Sequence, residues 1–115
     1  MLDNRAREIL SLVEAGKTIL DVGCTQNSAV HFALAKNCKK IIGIDIDENG
    51  IGRIKKKGLE AYIMDAQQIK LDQKFDYIIA GELIEHLSNP GLFLDGMKKH
   101  LAPDGRIILT TPNIS

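Results

Sequence analysis

Short runs of aliphatic and β-branched residues alternate along this chain with longer polar stretches, in which apolar residues recur every three or four positions. Strands are read at 18–22, 40–45, 60–64, 75–80 and 106–111, the last entered through a turn at Pro103-Asp104-Gly105. Between them fall helical patterns. Residues 5–14 carry Ile9, Leu10, Leu12 and Val13 among charges and close at Gly16. Ser28 is placed to cap a helix to about residue 36, with Val30, Phe32, Ala33 and Leu34 apolar. Residues 48–57 end in Lys55-Lys56-Lys57-Gly58, cations and then glycine where the helix dipole and the C-cap favour them. Asn89-Pro90 opens a fourth helix to about residue 101, with Leu92, Phe93, Met97 and Leu101 expected inward. Strands alternating with helices predict an α/β fold, a Rossmann-like three-layer sandwich around a mainly parallel sheet.

Composition narrows the classes of function. The 115 residues suffice for one core, and no internal repeat or linker divides them. Lys+Arg and Asp+Glu number 15 each, so no global field points to nucleic acid or an anionic membrane. Aromatic residues make up only 4%, which leaves few platforms for stacking bases. No apolar run approaches the ~20 residues of a membrane span. Cys24 and Cys38 form no CxxC motif and are read as reduced thiols, consistent with an expected cytoplasmic location.

Open α/β sheets bind ligands beyond the carboxyl ends of their strands, where strand order reverses. Here the predicted strands end in Asp21, Asp45, Asp65 and the pair Gly81-Glu82. A dinucleotide fold would need G-x-G-x-x-G after strand one, with no carboxylate beside the pyrophosphate. This chain has Asp21-Val22-Gly23-Cys24-Thr25-Gln26-Asn27-Ser28 instead. An acid precedes the single glycine, which suits a ligand carrying ammonium and sulfonium charges better than one carrying phosphates. A nicotinamide-dependent oxidoreductase is thereby disfavoured.

The segments ILDVGC, IIGIDID, MDAQQI, FDYIIAGELIEHLSNPGLFL and LAPDGRIILTTPN resemble, in order, the motifs of class I S-adenosylmethionine-dependent methyltransferases. The subgroup with GE-h-IEHL-x-NP after strand four, h being apolar, is the most similar, and it includes ubiquinone-type and small-RNA O-methyltransferases. The resemblance implies sheet order 3-2-1-4-5 and S-adenosyl-L-methionine as cofactor. Asp21, Gly23, Cys24 and Thr25 would line its methionine end, the last two through their backbone. Asp45, with Ile46 beside it, would take both ribose hydroxyls, Asp65 and Ala66 would meet the adenine, and Gly81 would leave room for the methionine portion. It departs from the family's D-h-G-C-G-x-G at Thr25 and Asn27. Asparagine tolerates positive φ, so Asn27 can keep the turn, whereas β-branched Thr25 requires a different path or weakens binding.

Glu82, Glu85 and His86 would share one face of an α-helix through their i, i+3, i+4 spacing. Two carboxylates and an imidazole there suit Mg²⁺ or Mn²⁺. The other reading makes the acids favourable first-turn residues and His86, with Glu82, the catalytic pair acting without metal. His31 and His100 are expected to be surface or partly buried residues, not ligands, and Cys24 a small packing residue. The expected activity is methyl transfer, at oxygen, to a small-molecule or glycan acceptor. A cofactor-binding module without turnover is the alternative. Complete sheets of the family carry two further strands, so residues 1–115 are expected to form the cofactor-binding core with strand five as an open edge, either a fragment or paired in a homodimer.

Overall fold

In the computed structural model, which describes residues 2–81 and 83–110, strand β1 (Thr18–Val22) is the centre of the molecule. It pairs in parallel with β2 (Lys40–Asp45) on one side and β4 (Phe75–Gly81) on the other. Strands β3 (Glu60–Ile63) and β5 (Leu101–Thr110) flank these, so the order is β3-β2-β1-β4-β5 and every pairing is parallel. This is the expected Rossmann-like sheet. The chain builds outward from β1 to β3, then crosses back to begin β4 on the opposite side of β1. The resulting reversal leaves a crevice beyond the ends of β1 and β4.

Period-two alternation sorts the strand residues between two cores. Ile19, Ile41, Tyr77 and Ile79 face α1 (Asn4–Leu12) and α2 (Ser28–Ala35), burying Ala6, Ile9, Val30 and Leu34. Helix α3 (Glu48–Lys56) covers Cys24 and Ala61 with Ile51 and Ile54. Leu20, Val22, Ile42, Ile44, Ile78 and Ala80 face the opposite way, against Phe93 and Met97 of α4 (Pro90–Lys99). Strands buried on both faces read as nearly continuous apolar runs, which is why β1, β2 and β4 stand out in the sequence.

Several local expectations are corrected. Asn27, not Ser28, caps α2, its side chain accepting from the Val30 N–H at 3.4 Å; its φ of −143° is not left-handed. Helix α1 begins one residue earlier than expected, capped by Asp3, and Leu12 is exposed because Ala6 and Ile9 supply the inward stripe. Leu92 is likewise exposed, and Leu101 belongs to β5. The Pro103-Asp104-Gly105 turn is an excursion within the β5 ladder: Phe75 pairs with Leu101 but Tyr77 with Arg106. Gly105 permits it, since a Cβ there would lie 2.7 Å from Leu101 Cδ1 and 2.9 Å from the Ala102 carbonyl oxygen. His100 is buried, with Nδ1 2.7 Å from the Gly96 carbonyl oxygen and Nε2 3.0 Å from the Leu71 N–H. A ring that donates at Nδ1 and accepts at Nε2 ties the end of α4 to the segment entering β4.

At the opposite end of the sheet from the crevice, Thr18 and Asp76 bind each other reciprocally. The Thr18 N–H and hydroxyl both donate to Asp76 Oδ2 at 3.0 Å, and the Asp76 N–H donates to Thr18 Oγ1 at 2.9 Å. These bonds, the backbone one foremost, hold the Asp76 carboxyl below its usual range. A depressed carboxyl contributes stability above the unfolded-state range and loses it as pH falls through the folded-state value. Asp76→Asn is therefore expected to destabilise the fold by about 1 kcal/mol at neutral pH. In urea melts the gap between variant and wild type should close on acidification; a gap independent of pH would contradict this assignment.

Candidate cofactor site

The crevice at the strand ends contains two hollows that meet at Gly23 and Gln26. One, of about 180 Å³, is lined by Val22, Gly23, Gln26, Ile44, Asp45, Ile46, Met64, Asp65, Ala66, Leu83, His86 and Leu87. The other, of about 230 Å³, is lined by Asp3, Arg5, Ala6, Ile9, Asp21, Gly23, Gln26, Asn27, Val30, Ile79, Gly81 and Thr110. Neither alone reaches the ~300 Å³ at the lower end of small-molecule sites. One elongated ligand lying across Gly23 would fill both.

Gly23 makes this passage possible. It has φ +76°, the left-handed conformation that glycine adopts without a Cβ penalty. A Cβ would stand 3.7 Å from both Gln26 Cγ and Leu83 Cδ1, in the neck between the hollows. The N–H groups of Gly23 and Cys24 both donate to the Ile44 carbonyl oxygen, at 2.8 and 3.3 Å. The Thr25 N–H donates to Asp45 Oδ2 at 3.0 Å. These three donors, two of them expected to face the cofactor, are thus engaged within the chain.

Asp21, the penultimate residue of β1, lies on the α2 face, where it is 6% exposed and meets His31, which is fully buried, with His31 Nδ1 2.8 Å from Asp21 Oδ2. Burial pushes the Asp21 carboxyl up, and the hydrogen bond and charge of His31 oppose that shift. Among the described residues, His31 Nε2 has no hydrogen-bond partner. Gly43 provides the space: a Cβ there would lie 2.9 Å from His31 Cε1 and 2.7 Å from Cys24 Sγ. His31 is thus no surface residue but the partner of the central acid. Its i+10 separation from Asp21 belongs to no motif, and only the glycine in mid-strand β2 hints at a large buried side chain nearby.

Cys24 lies under the loop, 1% exposed, facing Gly43 and α3 rather than either hollow. Burial, followed by the charges of Asp21 and Asp45, pushes its thiol far up, which suits a packing residue and not a nucleophile.

Asp45 ends β2 buried, with Oδ2 accepting from the Thr25 N–H and also from its hydroxyl at 2.6 Å, and Oδ1 accepting from the Asp47 N–H at 3.0 Å. Asp65 is exposed, and its Oδ1 accepts from the Gln67 N–H at 2.8 Å as the cap of a 3-10 turn at Ala66–Gln68. Ile46 stands 71% exposed in the same hollow, an apolar surface with no partner in the core. A Cβ on Gly81 would meet Thr110 Oγ1 at 3.1 Å, so its neighbour in the structure is β5.

Glu82 lies outside the described residues. Ile84–His86 form a 3-10 turn and α4 starts only at Pro90, so the shared α-helical face expected for Glu85 and His86 is not formed. Asn89-Pro90 sets the helix start, because Asn89 caps and proline occupies the first turn. His86 reaches the Asp65 hollow, and its Nε2 lies 3.8 Å from Glu85 Oε1. Among the described residues no group of three metal-ligating side chains converges. Arg5, Asp3, Gln26 and His31 are the site residues that motif spacing did not reveal.

A family model described as a methyltransferase domain matches residues 1–115. The mitochondrial ubiquinone biosynthesis O-methyltransferase of Dictyostelium discoideum is 30% identical over 115 residues, covering 85% of this chain and 36% of that protein. The ubiquinone biosynthesis O-methyltransferase of Pseudomonas paraeruginosa is 30% identical over 107 residues, covering 86% and 46%. This chain thus spans less than half the length of these curated relatives. The crystal structure of N-methyltransferase NodS from Bradyrhizobium japonicum WM9 superposes with a TM-score of 0.80 at 26% identity, over 91% of this chain and 65% of that one. NodS in complex with S-adenosyl-l-homocysteine superposes with a TM-score of 0.78 at 26% identity, over 91% and 59%.

Removing the imidazole beneath Asp21 leaves a buried carboxyl without its partner. His31→Phe is therefore expected to lower stability by about 2 kcal/mol. A denaturant midpoint within error of wild type would show that the Asp21–His31 bond is incidental.

Proposed function

From the premise that the chain belongs to the methyltransferase-domain family, we propose that it binds S-adenosyl-L-methionine across Gly23 and supports methyl transfer to a hydroxyl-bearing small molecule. The carrying observation is the pair of hollows joined at Gly23, with acids on both sides and no glycine-rich phosphate loop. The acceptor atom is assigned from the likeness to O-methyltransferases.

In this reading the adenosine occupies the hollow of Asp45, Ile46, Asp65 and Ala66. Asp45 accepts from the ribose, the free Asp65 oxygen accepts from the adenine amino group, and the Ile46 side chain packs on the base. The amino-acid end occupies the hollow of Asp21 and Gly81, where Asp21 faces the ammonium and Arg5 the carboxylate. Cys24 and Thr25 act beneath the ligand, holding Gly43 and Asp45, rather than as its backbone donors.

The cofactor supplies a methyl group already activated on a positively charged sulfur. Transfer breaks the sulfur–carbon bond and forms an oxygen–carbon bond, while the acceptor hydroxyl loses its proton. The chain's part is alignment and proton removal. Leu83, beside the Gly23 neck, walls the acceptor side, and His86 on the rim takes the proton with Glu85 alongside. For a divalent ion, Glu82, Glu85 and His86 would be the ligands and would orient the acceptor oxygen. In the absence of such an ion the proton passes to the His86 imidazole itself.

Titration calorimetry with S-adenosylhomocysteine should show saturable binding, and Asp45→Asn and Asp65→Asn should each weaken it by about tenfold. Thermal protection by NAD with no response to S-adenosylhomocysteine would overturn the proposal. His86→Ala should lower methyl transfer while leaving cofactor affinity unchanged, and activity should survive dialysis against EDTA. Loss on dialysis restored by Mg²⁺ or Mn²⁺ would instead assign the metal-binding role.

A further inference from the structure

Thr25 stands where the glycine-rich pattern has its second glycine, and its side chain is seated on the acid that ends β2. A carboxylate offers about four acceptor positions, two on each oxygen. On Asp45, Oδ2 already accepts two donors, the Thr25 N–H at 3.0 Å and the Thr25 hydroxyl at 2.6 Å. Oδ1 accepts one, the Asp47 N–H at 3.0 Å. Three positions are filled from within the chain, which leaves one.

The threonine is held in this pose from behind. A Cβ on Gly50, in the first turn of α3, would lie 2.5 Å from Thr25 Cγ2, 2.6 Å from Thr25 Cβ and 2.7 Å from Asp47 Oδ2. Only glycine at position 50 leaves the threonine its place. Gly50 is buried, its N–H donating to Asp47 Oδ1 at 3.1 Å, so Thr25, Asp45, Asp47 and Gly50 form one interlocked unit.

We infer that Thr25 is a specificity-determining residue which occupies one of the two places on Asp45 that a ribose diol would use, so that the cofactor's ribose is recognised through a single hydroxyl on Oδ1. The inference rests on the proposed S-adenosylmethionine site. Its consequence is asymmetric: removing one ribose hydroxyl from the ligand should matter, and removing the other should not. Thr25→Ala keeps the backbone donor but vacates the hydroxyl's position, opening Asp45 to the second ribose oxygen. Thr25→Ser keeps the hydroxyl and should preserve the wild-type pattern. Gly50→Ala displaces the threonine from behind and should shift the pattern in the same direction as Thr25→Ala.

The test is binding of S-adenosylhomocysteine and its 2′-deoxy and 3′-deoxy analogues to wild type and these three variants, with circular dichroism confirming that each is folded. For wild type, one deoxy analogue should lose at least about tenfold in affinity and the other should bind like the parent. For Thr25→Ala, both analogues should lose affinity and the parent should bind more tightly. Equal losses for both analogues with wild type, or an unchanged pattern in folded Thr25→Ala, would overturn the inference while leaving the cofactor assignment standing. Absence of binding by S-adenosylhomocysteine itself would overturn the assignment and the inference together.

Discussion

A parallel sheet covered on both faces has its backbone groups paired in the ladder and its side chains buried in two cores, so its polar chemistry is confined to the strand ends. In this chain the confinement is sharpened by the reversal of strand order between β1 and β4. The α2 and α4 faces bury Ile19 and Leu20 on alternate sides of β1, and the same alternation brings Asp21 onto the α2 face one residue before the chain leaves the sheet. The crevice, its two hollows and the acids that line them follow from that placement.

Two small residues then decide what the acids can do. Gly43 opens a space in the middle of β2 into which His31 and Cys24 pack, and His31 supplies the hydrogen bond that a carboxyl at the buried end of a strand requires. Gly50 opens a second space that seats Thr25 against Asp45. Neither glycine lies at positive φ. Each is required by close approach, whereas Gly23 is required by its left-handed backbone, φ +76°. The loop tolerates threonine at a glycine position because the left-handed turn is made at Gly23 and the threonine side chain has an acceptor to bind.

The strands were legible in the sequence because fully buried strands are apolar throughout and acids interrupt them near their ends, whereas their order was implied only by the resemblance to class I methyltransferases. Helix α3 was legible through its Lys55-Lys56-Lys57-Gly58 end, and the core face of α4 through the helical spacing of Phe93 and Met97. Helix starts were less so: Asn27 and Ser28 are both good caps, and only the backbone geometry selects Asn27. The 83–87 segment misled because acids and a histidine at i, i+3 and i+4 mimic a helical face, while the Asn89-Pro90 start places the helix further on. The Asp21–His31 and Asp45–Thr25 pairs were illegible because they join residues ten and twenty positions apart, which no local spacing encodes.

The central claim is that one elongated cationic cofactor lies across Gly23. The most direct measurement is a crystal structure of the chain with S-adenosylhomocysteine. The expected result is adenosine against Ile46 and Asp65, a ribose hydroxyl on Asp45, and the amino-acid end beside Asp21 and Gly81. Ligand density elsewhere, or an adenosine placed in the Asp21 hollow, would contradict it.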